Sequence, residues 1–379
     1  MATVEPNSRH LTLPIVVTGA VGELLLYVSP LLLGAITEGF GATEGNAGLL
    51  VAAELSASAL LAFLFARRLS ALNARILVVG AVCAMVAADA ISAFSSSLIV
   101  LIVCRILAGG GSGTLLACAN SMAASGRGPQ KIFALLTLAA VTGAFIAYWL
   151  VPFAIDRFGP RGAFIALATL TAVNLPFAFW FPSKGIHSET DLKAAATQFG
   201  AAGWSLMFAM GVLYLGQNAL WAYVERIAHA AGLPLSTVSK VLMANSVLAL
   251  GAPLLAQGWG LRTGLLGPIV VGMGVQITAA LLLPHSRGVV DFGTYAILFT
   301  FGFMFVVPYM KTQMARLDGT GRLSGSAMAF VTVGSATGPA LAGIALNGRG
   351  DYLTVGWIAA VSIGTSTALT CLGRVGRME

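Results

Sequence analysis

Charge is what this sequence has least of. Only 9% of its 379 residues are Asp, Glu, Lys or Arg, against about 25% in an ordinary soluble domain. That shortage excludes a soluble globular fold. Cysteine is scarce too. Cys83, Cys104, Cys118 and Cys371 all fall in apolar runs and form no C-x-x-C pair, so they read as buried free thiols. Neither a disulfide frame nor a metal site follows from them. The four histidines, His10, His187, His229 and His285, stand in tails and loops. With His and Cys dispersed there is no metal constellation, no cofactor site and no basis for an enzyme. No basic cluster is interleaved with aromatics, so the net charge of +7 does not indicate nucleic acid. No stretch is long and polar enough for a soluble signalling domain, which removes a receptor or sensor. Repeated polar rings, which a channel would want, are lacking as well.

What is present is apolar length. The chain is 58% hydrophobic with a mean hydropathy of +0.89. Apolar runs occur at about 12–36, 47–66, 75–94, 98–124, 130–155 and 161–181. Six more follow at about 201–226, 237–257, 264–284, 291–312, 324–346 and 352–373. Each can cross a bilayer, which takes roughly 20 residues. The expected fold is an all-α membrane protein of twelve transmembrane helices in two six-helix bundles. The bundles are residues 1–181 and 201–379, joined by a cytoplasmic linker at 182–200 that holds Lys184, Glu189, Asp191 and Lys193. A largely polar segment of about ten residues precedes the first run, and no small-residue cleavage site follows it, so it is read as a retained span.

The basic residues orient the chain. With both termini in the cytoplasm, the inner loops collect Arg67, Arg68, Arg75, Arg127, Lys131, Arg262, Lys311, Arg316 and Arg322. The outer loops keep only Arg157, Arg161, Arg226, Arg287 and Arg349. This is the positive-inside pattern. A faint echo relates the halves: a shift of about 190 positions brings Gly41 near Gly232 and Glu54 near Asn245.

One arginine interrupts the fourth run. Arg105 lies about seven residues, or roughly 10 Å, inside it. Such a residue costs about 2.5–3.5 kcal/mol to insert and requires a partner or a wet cavity. Behind it runs a glycine series, Arg105-x-Leu107-x-Gly109-x-Gly111-x-Gly113, which permits close approach of another helix. Glu54 on the second span lies at a similar depth, and Asp89 on the third is slightly shallower. Arg105 is therefore either half of an ion pair with Glu54 or Asp89, or a direct participant in substrate or proton handling.

The glycine series resembles the fourth-helix motif of the major facilitator superfamily. Gly334-x-x-x-Gly338-Pro339-x-x-x-Gly343 on the eleventh span resembles that family's glycine-proline signature, which in the antiporter branch belongs on the fifth span. The fifth span here has Gly143 and Pro152 without such a run. Asp156-Arg157-Phe158-Gly159-Pro160-Arg161-Gly162-Ala163-Phe164 resembles the family's outer turn. Between spans two and three, Arg75 stands at the family's basic position, while Ala66, Ser70 and Asn73 replace its two glycines and acid.

The resemblance implies transport by alternating access, with spans 1, 4, 7 and 10 lining a central cavity. Polar faces on those spans are the candidates. Span 1 carries Glu23 and Tyr27, one turn apart. Glu23, near the midplane, suits proton coupling, together with Glu54, Arg105 and Asp89. Span 7 carries Tyr214, Gln217, Asn218, Trp221 and Glu225, a face too polar for lipid. Asn120 on span 4, Asn245 on span 8, and Phe299 and Phe303 on span 10 complete the substrate-binding candidates. Glu225 is either an outer gate residue or simply solvated. The expected function is proton-coupled secondary transport of a small organic solute, with a multidrug/proton antiporter exporting amphipathic compounds as the alternative. The expected setting is the inner membrane of a bacterium. The partners are substrate, protons and lipid; nucleic acid is not among them, and the chain is read as a monomer.

Overall fold

The computed structural model describes residues 9–66, 72–125, 129–183, 199–259, 264–318, 322–349 and 351–375. Most of the expected linker lies outside the described residues, as do Arg67, Arg68, Arg127, Lys184, Lys193 and Arg262. Among the described residues every regular element is helical. They are α1 (Arg9–Phe40), α2 (Glu44–Ala66), α3 (Ala74–Phe94), α4 (Leu98–Ser125), α5 (Pro129–Phe158), α6 (Gly162–Ala172), α7 (Leu175–Trp180), α8 (Ala201–Trp221), α9 (Val224–Ala230), α10 (Leu235–Ala249), α11 (Gly251–Trp259), α12 (Leu266–Leu282), α13 (Val289–Leu317), α14 (Arg322–Arg349) and α15 (Tyr352–Val375). A 3-10 turn, Leu283–His285, follows α12.

Eleven described segments are long and apolar enough to cross a membrane, with mean hydropathies from 1.5 to 2.2. Two of them contain a break between successive helices. Pro176 follows Asn174, and Pro253 follows Leu250; each lacks the N–H that would continue the ladder. The twelfth expected segment is α8, a 21-residue helix. Gln217 and Asn218 make it less apolar than the others.

Chain reversals are written in single residues. Gly41 and Gly232 adopt φ of +64° and +76°, a left-handed conformation that only glycine takes without cost. The pair that echoes across the halves thus ends two corresponding helical stretches in the same way. Asn73 caps α3, its side chain accepting from the N–H groups of Arg75 and Ile76 at 3.1 and 3.4 Å. Within α1, Pro30 cannot donate to the carbonyl of Leu26. The Ser29 hydroxyl donates to that carbonyl instead, at 3.0 Å.

Packing divides the chain into two compact units. Unit 1 is Met1–Ala42 with Ala53–Glu189, and unit 2 is Thr43–Ala52 with Thr190–Glu379. In unit 1, α4 packs on α1 and α3, and α1 also packs on α5. In unit 2, α8 lies between α14 and α15, while α12 packs on α13 and α15. The α8–α14 contact is made close by glycine. A Cβ on Gly334 or Gly338 would overlap the α8 backbone at Gly211 or Leu215.

Helix α4 shows how the exterior differs from the interior. Ile99, Val103 and Ile106 are exposed, while Cys104, Arg105 and Ala108 are buried. An apolar outer face with polar groups turned inward is the arrangement a hydrocarbon solvent imposes. The aromatic pair expected at the end of span 5 divides the same way. Trp149 is exposed and stacks on Phe153 at 5.9 Å. Tyr148 is fully buried and donates to the Tyr27 carbonyl at 2.7 Å.

Candidate functional site

Arg105 is a deeply buried charged side chain in unit 1, only 1% exposed. The glycines that follow it bring α4 against its neighbours. A Cβ at Gly109 would overlap the Glu54 carbonyl, and one at Gly113 would overlap that of Ser58. At Gly111 it would meet the Met85 side chain of α3. With α2 and α3 drawn in this way, the guanidinium of Arg105 reaches both at once.

Arg105 Nη1 donates to Glu54 Oε1 at 3.2 Å. Nη2 donates to Asp89 Oδ1 and, at 3.3 Å, to the Ser92 hydroxyl. Ser92 in turn donates to the Ala88 carbonyl at 2.7 Å. The guanidinium carbon lies 5.0 Å from the centroid of the Phe164 ring, a cation–π contact. Glu54, Asp89, Ser92 and Phe164 are all buried. Two buried atoms of the cluster have no hydrogen-bond partner among the described residues: Nε of Arg105 and Oε2 of Glu54.

The sequence offered Glu54 and Asp89 as alternative partners for Arg105; the structure engages both. Ser92 and Phe164 were not candidates. Ser92 lies about one turn from Asp89 on the same helix, a spacing that could have signalled it. Phe164, in α6, ends the stretch that resembles the family's outer turn, but nothing in that stretch pointed to Arg105.

The rest of the α4 track is tied to α1. The Ser112 hydroxyl donates to the Gly22 carbonyl at 2.8 Å and pairs with Ser58 at 3.3 Å. This sets the turn of α1 holding Glu23 beside Ser112, about two helical turns along α4 from Arg105. Glu23 and Tyr27 are half-buried, and Asn120 is exposed.

In unit 2 the residues of α8 diverge. Gln217 Oε1 accepts from Gln276 Nε2 of α12 at 2.8 Å. Asn218 Nδ2 donates to the Tyr214 carbonyl at 2.9 Å and to Ser335 of α14 at 3.4 Å. Consecutive helical residues point about 100° apart, so the two amides serve different neighbours. The Tyr214 ring meets Phe303 edge-on at 4.9 Å, whereas Phe299 is buried in the core. Trp221 is mostly buried. Gln276, fully buried, was missed; a lone amide in the apolar run of α12 was the available signal.

Asn245 on α10 sends Nδ2 to Thr300 on α13 at 3.2 Å. It thus links the second and fourth spans of its half, as Glu54 links α2 and α4, with a neutral bond in place of a charged one. Glu225 is not solvated. It is buried on α9 and takes a two-pronged contact from Arg226, Nε at 2.7 Å and Nη2 at 2.9 Å. Arg226, read as an outer-loop residue, is buried with it.

A family profile described as Major Facilitator Superfamily matches residues 16–339. The chain belongs to the major facilitator superfamily. Members of this superfamily are generally membrane transporters, and the apolar helices make this one an integral, multi-pass membrane protein. A comparison with curated proteins finds no match. In this superfamily member the α4 glycines carry a definite task, which is to seat one arginine between two carboxylates. Arg75 also has a place: its Nε donates to the Phe181 carbonyl at 2.7 Å, tying the start of α3 to the end of α7.

Proposed function

We propose that this superfamily member is a proton-coupled secondary transporter of a small organic solute, working by alternating access. The reading includes twelve spans with α8 as the seventh, cytoplasmic termini, a monomer, and a bacterial inner membrane. Its bundles are residues 1–181 and 201–379. The positive-inside bias supports the orientation.

One observation carries the coupling: two buried carboxylates share a single guanidinium, and Glu54 Oε2 has no hydrogen-bond partner among the described residues. In a low-dielectric interior the cluster balances its charge only when one carboxylate holds a proton. Glu54 keeps a buried oxygen without a hydrogen bond and Asp89 does not, so Glu54 is the group that takes and releases the proton. Arg105 serves the carboxylates, with Nη1 and Nη2 both engaged. Glu23 is a second proton site on α1. Tyr27, Asn120, Tyr214, Gln217, Asn218, Trp221, Glu225, Asn245, Phe299 and Phe303 remain the substrate-side residues, of which half-buried Tyr27 and Tyr214 are the most open of the buried group.

The test has two stages. Purified protein is screened for thermal stabilisation by aromatic acids, sugars, amino acids and cationic drugs. The stabilising compound is then followed into proteoliposomes under an imposed pH gradient. Glu54→Gln is expected to lose gradient-driven accumulation while retaining binding and exchange. Accumulation at the wild-type level in Glu54→Gln would refute the reading.

A further inference from the structure

The Arg105 cluster is closed on one side by aromatic rings. Phe164 is fully buried, with its face toward the guanidinium at 5.0 Å. Its ring meets Phe40 edge-on, 6.0 Å between centroids. Arg161 lies over the other ring of this pair, 5.3 Å from the Phe40 centroid. The series therefore runs from a buried cation to a buried ring, then to a half-buried ring and a half-buried cation.

Its position is set by a rigid turn. Phe40 is the last residue of α1. Gly159 takes a φ of +73°, and a Cβ on Gly162 would overlap the Ala154 carbonyl. Gly39 lies against Pro160. These contacts press the 159–162 turn onto the end of α1 and drive Phe164 down onto Arg105. The cluster lies only about 10 Å from that end of α4. The two rings occupy the short route between it and the 159–162 turn.

We propose that Phe164, backed by Phe40, is both a positioning residue for Arg105 and the seal that keeps water on the 159–162 side from the Glu54 and Asp89 carboxylates. This rests on the reading of the cluster as the proton site. The face of the ring offers the guanidinium electrostatic contact without a hydrogen bond, so it holds Arg105 without competing with the carboxylates. Its apolar bulk offers a file of water no hydrogen-bond partner. In any one state of the carrier, protons then reach Glu54 from the opposite side alone, as tight coupling requires.

The leak measurement needs no known substrate. Protein is reconstituted into vesicles holding a pH-sensitive dye, a pH gradient is imposed, and its collapse is timed without solute. Phe164→Ala is expected to speed the collapse severalfold, because it opens a cavity beside polar groups where the ring had kept water out. Adding Glu54→Gln to Phe164→Ala should return the rate to the empty-vesicle level, because the leak runs through the carboxylate. Phe164→Leu keeps bulk without a π face and should remain tight, while weakening gradient-driven accumulation. Should Phe164→Ala fail to fold, Phe40→Ala provides the same test at a half-buried position, with a smaller leak. A collapse rate unchanged in Phe164→Ala and Phe40→Ala overturns the inference. So does a leak that persists with Glu54→Gln, since that would be a hole unrelated to the cluster. Failure of the transport reading shows differently, as normal gradient-driven accumulation in Glu54→Gln alone.

Discussion

Gly109 rests against the backbone carbonyl of Glu54, and Arg105, one turn earlier on α4, meets the Glu54 carboxylate at 3.2 Å. The first contact makes the second possible. A guanidinium on a helix held further off would leave Glu54 buried without a counter-charge.

Gly109→Ala is therefore expected to separate α4 from α2. Overpacking of this kind costs about 1–3 kcal/mol. The change should lower thermal stability in detergent and reduce gradient-driven accumulation together. Gly80 is the control. It lies in α3, and nothing lies within 4 Å of a Cβ placed there, so Gly80→Ala should be neutral or stabilising by roughly 0.5–1 kcal/mol. Equal losses from both substitutions would contradict the role given to Gly109.

Arg105→Ala should be worse than the double change with Glu54→Gln. Removing the cation leaves two buried carboxylates facing each other, a loss on the order of 3–5 kcal/mol. Neutralising Glu54 at the same time removes part of that penalty. Thermal unfolding of the two singles and the double forms a cycle, and additive losses would show that the residues act separately.

Gln276→Leu should destabilise unit 2 by about 1–2 kcal/mol, because Gln217 loses its partner inside an apolar environment. The double change Gln217→Leu with Gln276→Leu should recover most of that loss. Chemical unfolding in detergent reads both. A double variant no more stable than the single would mean that the pair contributes little.

Gly41→Ala and Gly232→Ala isolate backbone conformation. Both glycines have positive φ, and neither has an atom within 4 Å of an added Cβ, so no clash contributes. Each should cost about 1–2 kcal/mol from conformation alone. Melting temperatures equal to wild type would argue that the turns relax freely.

The parallel between Gly41 and Gly232 was legible in the sequence because glycine answers a local demand at the end of a helix. The companion echo, Glu54 with Asn245, was legible as position and not as chemistry. Both prove buried and both reach the fourth span of their half, yet only Glu54 finds a charge there. The stripe on α8 was legible as polar but not as divided. Its period placed Gln217 and Asn218 together, and packing sent them to α12 and α14. Glu225 was ambiguous in the sequence, since its partner is the adjacent Arg226 and a neighbouring pair of opposite charges looks the same in water as in a core.

By itself the sequence determined that this is a helical membrane protein, where its apolar runs lie, and that Arg105 must have company. Those are consequences of hydropathy, helical period and the cost of an unpaired charge, all of which act over one or two turns or on one residue. Only the tertiary structure decided that Arg105 takes two carboxylates together, that Ser92 supports it and that Phe164 covers it. Glu54 lies 51 positions from Arg105 and Asp89 lies 16. No local pattern encodes such distances. They are set by which helix faces can approach, and here by the glycines that let α4 touch its neighbours.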